Sequence, residues 1–137
     1  MKEPPTPTAT AFILCQSVQC SPQGMYSVMG IIHGISISPG ASTLRSGKVP
    51  VHAYLELRGL RGRYDLTIEF LTGSDLVNPF ESVHAETVTC DDPTERKVFD
   101  WAIQGLPVNE PGMLYVRVSA NGKPVIDNPI QVTVRTG

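Results

Sequence analysis

The side chains best suited to bind a soft metal or to work as nucleophile and base are Cys15, Cys20, Cys90, His33, His52 and His84. A structural zinc site shows two closely spaced ligand pairs, each separated by two to four residues. This chain offers one CxxxxC at Cys15 and Cys20 and a lone Cys90. Cys15 lies in the apolar run AFILC, where a free thiol packs as a small hydrophobe. No GxSxG is present, and no histidine stands at a matching spacing from a serine or cysteine. By strand alternation His52 and His84 fall on polar faces, as solvated or cross-strand-paired rings. Glu56 could face Glu69 or Arg63 across a hairpin, but nothing indicates the cleft that a carboxylate pair needs. Asp91, Asp92 and Glu95 supply too few oxygens for calcium and are better explained as a turn. These residue types predict no catalytic group, no metal site and no cofactor.

One cluster remains. Arg58, Arg61 and Arg63 surround Gly59-Leu60-Arg61-Gly62, a turn that lacks the GxxxxGK[ST] pattern of a phosphate-binding loop. Arginine forks suit carboxylates and phosphates, so these three residues are the candidate contact for an anion or an acidic partner. Their alternative role is a solvated hairpin tip.

The elements that position these residues follow from alternation. In Pro50–Leu71, Val51, Ala53, Leu55 and Leu57 occupy every second position, and after the glycines Tyr64, Leu66, Ile68 and Phe70 do the same. Period two on both sides of a glycine-bounded turn predicts two antiparallel strands forming a central hairpin. Upstream, residues 1–8 carry Pro4, Pro5 and Pro7 and predict an extended, poorly ordered tail. Ala9–Val18 is predicted as a strand apolar on both faces, then a turn over Gln19–Gly24. Met25–Ile37 reads as a second strand, with Tyr26, Val28, Ile32 and Ile35 available to the core. Gly30 and Gly34 imply a bulge or sharp bend within it. The polar connection Ser38–Val49 is long enough to pass between two sheets.

Downstream, Leu76–Phe80 is irregular, Ser82–Cys90 is a strand, and Asp91–Thr94 turns the chain. Arg96–Ile103 alternates with Phe99, Trp101 and Ile103 on the expected inner face, where the aromatics carry the larger apolar area. Gln104–Pro111 is loop. Met113–Ala120 and Val125–Arg135 flank Asn121-Gly122, a strong signal for a two-residue hairpin turn. Leu114, Val116, Val118, Ile130, Val132 and Val134 should point inward, and Pro124 and Pro129 predict a bent final edge strand. About eight strands without a helical period predict an all-β fold, an antiparallel immunoglobulin-like β-sandwich in one domain over residues 9–137.

Apolar residues make up 41% of the 137, enough for a single globular core, and the formal charge of −2 provides no basic field for nucleic acid or anionic lipid. MKEPPTPTAT has no apolar run of the kind a signal peptide needs, and no stretch approaches the ~20 apolar residues of a membrane helix. Three cysteines match no disulfide framework. The expectation is a soluble, reduced, cytoplasmic protein without nucleic-acid or membrane partners.

ATAFILCQSV with YSVMGIIHGI, the central VHAYLELRGLRGRYDLTIEFL and the terminal PGMLYVRVSANGKPV together resemble a family of small bacterial proteins of unknown function with a predicted immunoglobulin-like sandwich. The resemblance spans most of residues 9–135. It implies the sandwich fold and a bacterial cytoplasmic setting, and it carries no catalytic residues with it. The expected function is a non-catalytic protein–protein interaction or accessory module, acting as a homo-oligomer or with a protein partner through edge strands, the arginine tip or the 38–49 loop. The alternative is a small-ligand, carbohydrate-binding or metal-binding sandwich. Carbohydrate modules present several aromatics on one face, whereas this chain has one tryptophan and tyrosines on separate strands.

Overall fold

The computed structural model describes residues 4–37, 51–108 and 110–134. They form nine strands and no helix: β1 (Thr8–Cys20), β2 (Tyr26–Ile31), β3 (Gly34–Ile37), β4 (Val51–Arg58), β5 (Gly62–Thr72), β6 (Glu81–Cys90), β7 (Lys97–Ile103), β8 (Gly112–Ala120) and β9 (Lys123–Val134). One sheet has the order β2-β1-β4-β7 and the other β3-β9-β8-β5-β6. The predicted all-β sandwich is therefore the fold. Every pairing is antiparallel except β3 on β9. The run β9-β8-β5-β6 corresponds to the G-F-C-C′ order of immunoglobulin variable domains, and the adjacent β4 and β7 to strands B and E. Antibody domains join B to F by a disulfide, but β4 and β8 contain no cysteine. Apolar packing of Leu55, Leu57, Tyr64, Leu66, Phe70, Val116 and Ile130, each 0–1% exposed, holds the two sheets together.

The expected central hairpin is not a hairpin. β4 belongs to the first sheet and β5 to the second, so they face each other across the core and exchange no ladder hydrogen bonds. Both arms bury the predicted residues, because facing strands and paired strands obey the same alternation. Leu60 decides between the two arrangements. It is fully buried at the end of the sandwich, as a plug beneath a link that passes from sheet to sheet. Gly59 and Gly62, at φ of +82° and +109°, provide the reversals that let so short a link do this. Glu56 and Glu69 consequently lie on opposite outer faces. Glu56 accepts from Tyr54 and pairs with Arg96, while Glu69 accepts from Ser119.

The predicted second strand is also two. β2 pairs with β1, the chain leaves that sheet at Ile32-His33, and β3 joins β9 in parallel in the other sheet. Ile32 N–H donates to the Leu14 carbonyl on one side of this switch, and Gln131 N–H donates to the His33 carbonyl on the other. Ile32 and Ile35 pack against the core, as expected, whereas Tyr26 is exposed. The 38–49 connection lies outside the described residues. β9 is not an edge strand, since β3 covers its Gln131–Val134 segment. Pro124 and Pro129 sit in the half that β3 leaves uncovered, where a missing N–H costs no ladder bond. The Val134 side chain is outside the described set. Asn121 and Gly122, at φ of +51° and +80°, make the expected turn.

Residues 4–7 are extended but docked. Pro7 is buried, and the Tyr64 hydroxyl donates to the Pro5 carbonyl at 2.7 Å. The expected loop at 104–111 inserts Leu106 and Val108 into the core. The arm made by the end of β1 and the start of β2 bends back over the first sheet. Tyr54 sits beside Ile13, yet its ring lies 5.6 Å from that of Tyr26, which is paired with Cys20. A straight arm would separate those positions by roughly 20 Å at ~3.3 Å per residue.

Candidate functional site

Three regions bring chemically capable side chains together. On the outer face of the first sheet, Cys15 of β1 stands opposite His52 of β4, and Asp100 of β7, opposite Tyr54 and so diagonal to His52, extends them into a cysteine–histidine–aspartate row. The His52 Nδ1 lies 2.8 Å from Asp100 Oδ1, so the histidine is cross-strand paired, as alternation predicts. The row cannot operate as a nucleophile–base pair. Cys15 is fully buried, its thiol donates to the His52 carbonyl at 3.7 Å and not to the ring, and burial raises its pKa away from the thiolate. Beside it, burial and a 2.8 Å hydrogen bond to Glu56 push the Tyr54 hydroxyl up to about 12, so it donates throughout the physiological range. Among the described residues no group of three or more His, Cys, Asp or Glu is arranged to hold a metal ion. Cys15, Cys20 and Cys90 are all free thiols.

The arginine tip lies at one end of the sandwich. Arg58 closes β4, Arg61 is in the inter-sheet link and Arg63 opens β5, all exposed. The backbone beneath them is held firmly. Gly59 N–H donates to the Pro93 carbonyl, Arg61 N–H donates to the Tyr64 hydroxyl, and Asn121 Nδ2 donates to the Arg63 carbonyl. The three guanidiniums make no ion pair or hydrogen bond among the described residues. They present charge to solvent from a fixed frame, beside a recess of about 200 Å³ lined by Pro4, Pro5, Thr6, Tyr64, Ala120, Asn121 and Lys123 but by none of the three arginines.

A more capacious cleft lies elsewhere. β6 ends one sheet and β7 ends the other, on the same lateral side, and a cleft of about 470 Å³ opens between them. Ile68 and Phe70 of β5 form its floor, Trp101 and Ile103 one wall, Val83 and Ala85 the other. Glu81, Asp100 and Gln104 also line it. A β-bulge creates the opening. Leu66 pairs with Glu86 and Thr67 with His84, leaving Ala85 as the extra residue on β6. The bulge brings Glu86 to the Trp101 side of the gap, where the indole Nε1 donates to its carboxylate at 3.0 Å and joins the two sheets at one end of the cleft. Val83, opposite the core residue Ile68, remains 50% exposed at the mouth.

Trp101 was expected on the inner face and is there, but half-buried as a cleft wall. The cleft itself had one trace in the sequence. Val83 and Ala85 are apolar at odd positions and Val88 and Cys90 at even ones, and a change of parity within a strand is what a bulge requires.

No family model and no curated protein matches this sequence. No helix among the described residues is long and apolar enough to cross a membrane.

Proposed function

We propose that this protein is a non-catalytic interaction module that docks a protein partner, or a second copy of itself, along its open β6–β7 side. The cleft between two strand edges that no other described strand pairs with is the observation that carries this reading. An edge strand offers a row of unsatisfied N–H and C=O groups, and a cleft beside it offers room for the side chains of a strand that adds there. The arginine tip is a second contact within the same reading, available to acidic residues of whatever docks. The chemistry fits a reducing, cytoplasmic setting, because Cys20 is exposed and free and the other two thiols are used as buried packing. The resemblance to small bacterial sandwich proteins belongs to this proposal as well.

A small-ligand role is the second reading, favoured by the cleft itself, whose 470 Å³ lies within the ~300–1,000 Å³ usual for such sites, with Trp101 as a stacking surface. Native mass spectrometry of untagged protein from its own host separates the two. The interaction reading expects an added polypeptide mass or a dimer. It expects that mass to be lost on Val83→Lys, and to be weakened but still present when Arg58, Arg61 and Arg63 are all changed to alanine. A retained small-molecule mass on a monomer would favour the second reading. Loss of the complex with the triple-alanine variant alone would move the docking surface to the tip.

A further inference from the structure

Resting on the interaction reading, we infer that the open side takes an extended segment of a partner protein that adds to β7, turning alternate apolar residues into the cleft and a basic residue toward Asp100. The choice of strand follows from regularity. β6 carries the Ala85 bulge, which breaks its ladder, whereas β7 pairs with β4 from Val51–Ile103 to Leu57–Lys97 without a register shift. A strand laid against β7 therefore meets an uninterrupted edge of seven residues.

Period two then assigns its side chains. The inward row of β7 is Phe99, Trp101 and Ile103, so the added strand's inward residues lie beside Trp101 and above Ile68 and Phe70. The floor and walls of that space are apolar, its polar lining is Glu81, His84, Asp100 and Gln104, Glu86 closes one end, and no lysine or arginine lines it. Apolar side chains fit it and carboxylates do not. The outward row is Val98, Asp100 and Ala102, with Asp100 its one charge. Asp100 engages His52 through Oδ1 and its side chain is still 36% exposed. A lysine or arginine directly across from it gains an opposite-charge cross-strand pair, and an acidic residue there is repelled. Lys97, the basic residue on this strand, lies at its far end and is held by Glu95 at 3.4 Å.

The test uses the full chain labelled with ¹⁵N and three end-blocked heptapeptides: Lys-Val-Lys-Leu-Lys-Val-Lys, and the same peptide with serine or glutamate in place of every lysine. Amide shifts of Lys97–Ile103 and the Trp101 indole report where each binds. The lysine peptide should shift these signals and bind at least tenfold more tightly than the serine peptide, with the glutamate peptide weakest. Asp100→Asn should reduce the lysine preference to under threefold, and Asp100→Lys should reverse it in favour of glutamate. Equal binding of all three at β7 would overturn the basic chemistry while leaving the open side as a docking surface. Shifts confined to other strands, or none, would overturn the inference. The interaction reading stands or falls separately, on the native mass of the Val83→Lys variant.

Discussion

The two lateral sides of this sandwich are built differently from similar edges. On one side the chain itself crosses between sheets. β2 ends one sheet, β3 ends the other, and the two residues between them carry Ile32 into the space that would be the gap. On the other side β6 and β7 also end opposite sheets, but the residues joining them turn at the end of the molecule and leave the gap open. There the Trp101 indole donates to Glu86 across the gap, and a bulge turns the β6 strand. Crossing fills the gap between the sheets with chain. Bulges and inward carboxylates only discourage casual pairing, so a side protected in that way still admits a partner that fits.

That contrast can be broken most severely at the floor of the open side. Phe70→Ala removes a residue 1% exposed and should cost about 3–5 kcal/mol while enlarging the cleft, measured by denaturant unfolding. Ile35→Ala on the closed side, where the side chain is partly buried, should cost about 1–2 kcal/mol, whereas Val83→Ala on the open side should stay within about 0.5 kcal/mol. Equal costs at Ile35 and Val83 would erase the distinction between the sides. Trp101→Phe keeps an aromatic wall and removes the hydrogen bond to Glu86, so a loss of about 0.5–1.5 kcal/mol is expected. Since Trp101 is the single tryptophan, its fluorescence in the unaltered protein reports the open side directly.

The smallest effect concerns pH. Asp75 accepts from the backbone N–H groups of Asn78 and Val77, and Asp92 from the Thr94 hydroxyl and N–H, which lowers both carboxyls below their ordinary 3.8. A folded pKa below the unfolded one contributes stability above the unfolded value and loses it as pH falls through the folded one. Amide exchange at Val77, Asn78 and Thr94 should thus be insensitive to these carboxyls between pH 5 and 7, apart from the intrinsic rate, and lose protection below about pH 4. The 73–80 turn is tied to β8 by Arg117, whose guanidinium donates to the Leu76 carbonyl.

Alternation was enough to tell inside from outside. Leu55, Leu57, Leu66, Phe70, Val116 and Ile130 are buried where period two places them. It could not tell which strands pair, because β4 and β5 satisfy the same pattern by facing each other across the core. Leu60, an apolar residue in an otherwise polar turn, was the sign that the link closes the end of a sandwich. The strand switch at Ile32-His33 was legible as a break between Gly30 and Gly34, but not as a change of sheet, which depends on contacts with Leu14 and Gln131 far along the chain. The cleft was hidden for the same reason. It belongs to two strands that never pair, and only the parity change after Ala85 marked it.

The most direct test is site-specific photo-crosslinking in the protein's own host, with benzoylphenylalanine placed at Val83 on the open side or at Ile31 on the closed side. Both positions are about half exposed, so accessibility alone does not favour either. A discrete crosslinked species is expected from position 83, lost when Asp100→Lys is added, and none from position 31. A product from position 31 with none from position 83 would contradict that expectation.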